Sequence, residues 1–385
     1  MRKLLGGKFM KLLTLFKYMI FVILISAVFT CRKNPAKYQI PNDPRAYTWT
    51  VDTLLFYQHN IGWATTLNRL WGSSPHDVYA VGWCTSVGGQ MYHFDGEKWK
   101  HSKEVRVIGE NGHYSISNIF GFSKNNVWVV GNRVHGIWMP PENPEEQMQN
   151  LIIHYDGVSW NEVYSSKWDT TMYRELTCIW GSSPDDIWFG GCWGDMYHWD
   201  GKTVTKDTMP FDVKDYMAPH RLIASIHHIA GFKDKGLYAV FTGVRVKDDI
   251  ERDYLMQRTD KGWVFRDSLN SYIDIYMSPT GRLYVANFYG VYEWNGSGLT
   301  PLFTDICAWA VYGTDDNHIF AAGREAWQGN GGVAFFNGNS WHIIEECSLP
   351  EITFTDVWTD GEEVFITGQP DNEASTVILH GKMKQ

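Results

Sequence analysis

Apolar and polar residues alternate along most of this chain in short runs broken by Gly, Ser, Pro, Asp and Asn. That is the pattern of half-buried strands joined by tight turns. One stretch, LWGSSPHDVYAVG (70–82), returns as IFGFSKNNVWVVG (119–131) and as IWGSSPDDIWFGG (179–191). Weaker copies lie at 229–243, 275–287, 311–323 and 357–368, which makes seven. Each copy reads as an apolar strand, a polar turn and a second strand that alternates aromatic with small residues. The unit is a β-hairpin.

A third element follows each hairpin: MYHFDGEKW (91–99), IIHYDGVSW (152–160), MYHWDGKTV (196–204), LMQRTDKGW (255–263), VYEWNGSGL (291–299) and AFFNGNSW (334–341). Here an alternating strand mostly ends in Asp-Gly or Asn-Gly, a two-residue hairpin signal, and a fourth strand opens on a large apolar residue, usually Trp. Anchor positions 72, 121, 181, 231, 277, 313 and 359 are 36–60 residues apart, averaging about 48. Four antiparallel strands at that period predict an all-β, seven-bladed β-propeller. The last copy runs out of chain before a fourth strand. YTWTVDTL (47–54) alternates and sets Trp49 where other blades keep theirs, so this N-terminal strand is expected to complete the last blade and close the ring.

The repeats resemble those of bacterial secreted β-propellers of the W-G-S-S-P-x-D-V-W-A-V-G kind, which often follow lipoprotein signals. The resemblance spans about 46–384, strongest in blades 1–3 and loosest in blades 4 and 5. It implies an exported propeller. Neither the Ser-x-Asp-x-Gly-x-Thr-Trp box of sialidases, nor the Trp-Asp signature, nor the double glycine of kelch repeats is present, so no active site of those families is carried over.

The N-terminus fits export. A basic flank precedes the apolar run YMIFVILISAVF (18–29), too short for a typical spanning helix and suited to a signal-peptide core. Val28-Phe29-Thr30-Cys31 resembles a lipobox with Thr in place of the usual Gly, Ala or Ser, which makes Cys31 the expected lipidation site. A plain signal peptide and an uncleaved anchor are the alternatives, and Met10 is a second candidate start. The expected division is a signal peptide at 1–30, a Pro-punctuated tether at 31–45 and the propeller at 46–384. The expected location is the cell envelope, lipid-anchored at the outer membrane, periplasm or cell surface.

Charge and composition narrow the partners. Residues 1–30 hold five cations and no anions, so the remainder has 29 Lys and Arg against 43 Asp and Glu, a net of −14. Nucleic-acid affinity comes largely from phosphate neutralisation by Lys and Arg, and a body this acidic is a poor candidate for it. Beyond Cys31, five scattered cysteines (Cys84, Cys178, Cys192, Cys307, Cys347) lack CxxC or zinc-knuckle spacing and read as isolated buried thiols, with one bridge possible. No metal, cofactor or nucleotide motif is present, and a monomer is expected.

Candidate chemistry was sorted by whether it repeats. His93, His154, His198 and His380 share one strand position and read as scaffold. Asp77, Asn126 and Asp186 recur before the second strand and read as Asx-type backbone acceptors. Of 19 Trp, 12 fall in repeat columns and are expected to fill the space between blades. Seven do not: Trp63, Trp83, Trp138, Trp168, Trp193, Trp309 and Trp327. The loops joining second to third strands, and those joining blades, open on one face of a propeller, and these seven belong there. With Arg133, His135, Arg245, Tyr289 and Arg324, the residues Trp83, Trp138, Trp193 and Trp327 make up the candidate ligand-binding set. The expected function is a membrane-anchored binding module that presents this aromatic face to a glycan or an envelope protein. The competing reading is a carbohydrate-active hydrolase or lyase at the top of the central channel, with Glu325 and Asp195 as candidate acids. Catalytic residues are not legible from the sequence.

Overall fold

The computed structural model describes residues 47–384 apart from 55–56, 59–60, 63–64, 85–87, 103–112, 136–146, 170–172, 211–223, 246–249, 270–273, 327–328 and 372–374. Cys31 and the signal and tether segments lie outside the described residues, as do Trp63, Trp138 and Trp327.

The described residues form seven four-stranded antiparallel sheets, each in simple up-and-down order except for the last, and a short two-stranded ladder of Tyr57–Gln58 with Ile61–Gly62. Their innermost strands are Thr65–Ser74, His113–Ser123, Leu176–Ser183, Ser225–Gly231, Asp274–Met277, Ile306–Asp315 and Ile352–Thr359, in blades 1 to 7. In blade 7 the fourth strand is Tyr47–Leu54, which pairs with Thr376–Met383 from Tyr47 opposite Met383 to Leu54 opposite Thr376. The ring is therefore closed by the N-terminal strand. The Trp49 ring lies over Gly381, where an added Cβ would approach it to 2.8 Å.

Aromatic rings beside the anchor positions hold neighbouring blades together. A Cβ at Gly121 would stand 2.6 Å from the ring of Trp71, one at Gly231 would stand 2.8 Å from Trp180, and one at Gly72 would stand 2.8 Å from Trp358. In these pairs one blade offers a ring and the next offers the absence of a side chain to receive it, so apolar area is buried without a gap. Blade 2 does the same through Phe122, which covers Gly181.

The histidine column is scaffold, and the acidic column serves it. His93, His154, His198 and His380 stack on Tyr79, Trp128, Trp188 and Phe365 at ring separations of 4.3, 4.2, 4.3 and 3.9 Å. Their Nε2 atoms meet Asp77, Asn126, Asp186 and Glu363 at 2.6, 2.9, 2.7 and 2.5 Å. The expected Asx-type backbone role for Asp77, Asn126 and Asp186 is corrected: their oxygens hold side chains, including the indole N–H of Trp128 and of Trp188. Asx turns occur instead at the next corner, where Asp95, Asp156 and Asp200 each accept two backbone N–H groups. Burial acts to raise the Asp77 and Asp186 carboxyls, but hydrogen bonds from His and Ser outweigh it and hold both below the ordinary range. In blade 5 the same two columns carry Arg282 and Glu293, joined at 2.8 and 2.6 Å.

A β-bulge recurs in the innermost strands of blades 1, 2, 3, 4, 6 and 7, just before the strand turns into its apolar half. It lets two consecutive side chains escape the alternation of the pleat. In four blades a glycine of the second strand packs against the bulged backbone, as Gly82 does against Thr66 and Gly323 against Cys307.

Candidate functional site

The innermost strands run from the loop end of the ring, where blades connect, to the turn end, where each first hairpin reverses. The two ends have different chemistry.

At the loop end, Trp83, Trp168, Phe288 and Tyr289 are 37, 41, 49 and 66% exposed. Trp309, at the bulge of blade 6, meets Phe288 edge-on at 5.3 Å and extends that aromatic patch toward the channel. Trp193 sits in the second-to-third loop of blade 3 with a left-handed backbone, φ 61°, and its indole N–H donates to the Tyr173 carbonyl at 2.6 Å. The four described members of the unmatched Trp group thus share one end. Arg133 and Arg324 stand there too, with ionic partners already: Arg133 with Glu162 at 2.5 Å, and Arg324 with Asp371 while its Nε donates to Thr353 at 2.6 Å. His135 and Arg245 end the second strands of blades 2 and 4; their side chains lie outside the described residues, as do Trp138 and Trp327.

The candidate acids of this end behave as structure. Asp195 is 2% exposed, so it is neither open to substrate nor solvated. Arg174 and Asn150 donate to it at 3.0 and 2.9 Å, and Lys206 at 2.5 Å. A buried carboxylate answered by two cations and an amide is a cross-link between blades 2 and 3. Glu325 begins the loop of blade 6, its backbone N–H donating to the Asn330 carbonyl at 2.9 Å. Of the cysteines, Cys178, Cys192, Cys307 and Cys347 are free thiols, and all but Cys307 are buried.

The channel holds a second constellation that repeat comparison passed over. Three residues before each anchor position the blades carry Arg69, Asn118, Cys178, His228, Asp274, Ala310 and Asp356. Six of these seven line a central cavity of about 570 Å³. Two links make this level a collar. Asp356 accepts the Leu70 N–H of the next blade at 2.6 Å, and Asp274 accepts the Val311 N–H of its next blade at 2.9 Å. His228 Nδ1 pairs with the other oxygen of Asp274 at 2.8 Å. From the collar the cavity reaches the turn end, past Trp71, Phe120, Trp180, Tyr276, Tyr312 and Trp358. It is a vestibule with a polar floor and aromatic walls, on the end opposite to the aromatic loops. The sequence signal for it is inverse to the one used for scaffold: within a repeated strand, this column is the one whose chemistry changes at nearly every blade.

Burial, reinforced by the negative charge of Asp274, pushes the Asp356 carboxyl up to about 7, against the opposing pull of Arg69 and two backbone donors. The ordinary value for this group in an unfolded chain is 3.8. Between that pH and about 7 the folded state holds a proton that the unfolded chain has released, so this group costs stability progressively as pH rises through the window. Asp356→Asn keeps the shape and an acceptor for Leu70. It is expected to flatten the pH dependence of the melting temperature between pH 4 and 7 and to gain on the order of 1–4 kcal/mol at pH 8. A pH profile identical to wild type would show that the group is ionised throughout.

No protein-family model matches the sequence, and no curated protein matches it either. Solved structures do. The chain is similar to YCF48 bound to D1 peptide, with TM-score 0.56 and 15% identity over 86% of this chain and 96% of that one. It is similar to YCF48 from Cyanidioschyzon merolae, with TM-score 0.51 and 13% identity over 86% and 98%, and to the RRP9 WD40 repeats, with TM-score 0.51 and 9% identity over 86% and 97%. Likeness at these identities establishes the propeller fold.

Proposed function

We propose that this protein is a membrane-anchored, extracytoplasmic binding module that presents the loop end of its ring to a protein partner, with a glycan as the alternative ligand. The observation that supports this most is the exposure of Trp83, Trp168, Phe288 and Tyr289 together on one end of the ring. Aromatic side chains left in water on a rigid surface are the usual anchors of interfaces. A propeller of similar fold, YCF48, has been solved with a peptide bound, which is in keeping with a protein partner. The enzyme reading finds little support at this end, because Asp195 has no free face.

The anchor and the face are tested separately in a bacterial host. Cys31→Ser is expected to move the protein from the membrane to the soluble extracytoplasmic fraction; a wild-type chain already soluble would remove the anchor from the proposal. The triple variant Trp83→Ala, Phe288→Ala, Tyr289→Ala is expected to lose at least about tenfold in crosslinked partner recovered by quantitative affinity purification, corresponding to about 1.4 kcal/mol or more. Equal recovery from a folded triple variant would place the interface elsewhere.

A further inference from the structure

The vestibule at the turn end stands apart from the loop-end reading. Its volume of about 570 Å³ lies in the range of small-molecule sites. Its floor carries a guanidinium that makes no ion pair among the described residues. Arg69 donates to the carbonyl of its neighbour Asn68 at 2.9 Å, and among the described residues no carboxylate stands within ion-pair distance of its guanidinium. Its charge nevertheless reaches Cys178, His227 and Asp356 on three other blades, which sets it near the axis. The negative groups of the floor are compensated: Asp274 by His228 and the Val311 N–H, Asp356 by the Leu70 N–H. A guanidinium that lines a cavity without an ion pair is a receptor for a carboxylate, which it can grip with two parallel N–H groups.

The walls specify the rest of the ligand. Tyr276 and Tyr312 lean on each other at 5.3 Å, and Tyr312 is 36% exposed; Trp180 completes an aromatic surface on the opposite side of the ring. Flat π-faces favour a ligand with a compact C–H surface, while the remaining acceptor positions of Asp274 and Asp356 favour hydroxyl donors. We propose that the vestibule binds a sugar acid of one or two rings, its carboxylate on Arg69, its hydroxyls on Asp356 and Asp274, and its C–H faces against the tyrosines and Trp180. The inference concerns binding and assigns no bond-breaking step.

Calorimetric titration of the full detergent-solubilised chain with methyl glucuronide, methyl glucoside and acetate tests it. The glucuronide is expected to bind at least about tenfold more tightly than either of the others, a difference of about 1.4 kcal/mol. Arg69→Gln is expected to abolish that preference with the melting transition retained, and Val51→Ser, on the exposed outer strand of blade 7, to leave it intact. Absence of glucuronide binding to the wild type, equal binding of the glucoside, acetate binding as tight as the glucuronide, or an undiminished preference in Arg69→Gln would each overturn the proposal. Should Arg69→Gln fail to fold, the wild-type discrimination between glucuronide and glucoside decides it alone.

Discussion

Removing Tyr47–Leu54 is expected to abolish the single cooperative melting transition or to lower it by more than ten degrees, on the order of 5 kcal/mol or more. The deleted segment is the whole outer strand of blade 7, paired along eight residues with Thr376–Met383. Tyr47 reaches further: its hydroxyl donates to the Gly361 carbonyl at 2.9 Å and meets His318 Nε2 of blade 6 at 2.8 Å. Burial, then the nearby Asp360 and Glu362 charges, raises the phenol above its ordinary range, so it stays a neutral donor at any physiological pH. Without the strand, blade 7 loses its clasp and both chain ends are released. Tyr47→Phe separates the hydrogen bonds from the packing and is expected to cost about 1–2 kcal/mol. Val51→Ser, at a position 53% exposed, is expected to stay within about 0.5 kcal/mol of wild type. A truncated chain with an unchanged transition, measured by calorimetry, would mean that the ring is stable open.

The second large effect is expected from a single methyl group. At Gly323 a Cβ would stand 1.9 Å from the Cys307 carbonyl oxygen, and at Gly82 it would stand 1.8 Å from that of Thr66. The obstacle is backbone of the innermost strand, held by its ladder to the second strand, so it cannot swing away as a flexible side chain would. Gly323→Ala and Gly82→Ala are each expected to cost about 3 kcal/mol or more through displacement of the bulge. Gly298→Ala, where nothing lies within 4 Å of the added carbon, is expected to be neutral or slightly stabilising. Melting temperatures of the three variants decide the matter; equal values would show that the bulge is free to shift. Because the same bulges set Trp309 and the residues of the collar, loss of the glycine is also expected to disturb the channel.

Much of this architecture is legible in the sequence because repetition multiplies weak local signals. One strand-turn-strand copy says little, but its return at intervals of 36–60 residues identifies a blade, and the unfinished last copy points to the closing strand. The scaffold role of His93, His154, His198 and His380 was legible for the same reason. The role of Asp77 and Asp186 was not, since an acid in a turn has a local backbone partner and a cross-strand partner within equal reach, and only register places His93 and His198 beside them. Asp195 has no repeat and no local pattern; its three partners come from Asn150, Arg174 and Lys206, on separate strands and a blade connection.

The sequence by itself determined the strand period, the blade number, the closure of the ring and the end of it where unmatched tryptophans gather. These follow from alternation, turn chemistry and repeat length, which are local properties summed along the chain. That Arg69, His228, Asp274 and Asp356 face one cavity, and that among the described residues Arg69 has no carboxylate within ion-pair distance, follows only from the folded ring. They lie up to 287 residues apart and differ in chemistry from blade to blade, so no period marks them. Their meeting is a consequence of seven inner strands converging on one axis, and convergence is a property of the closed ring.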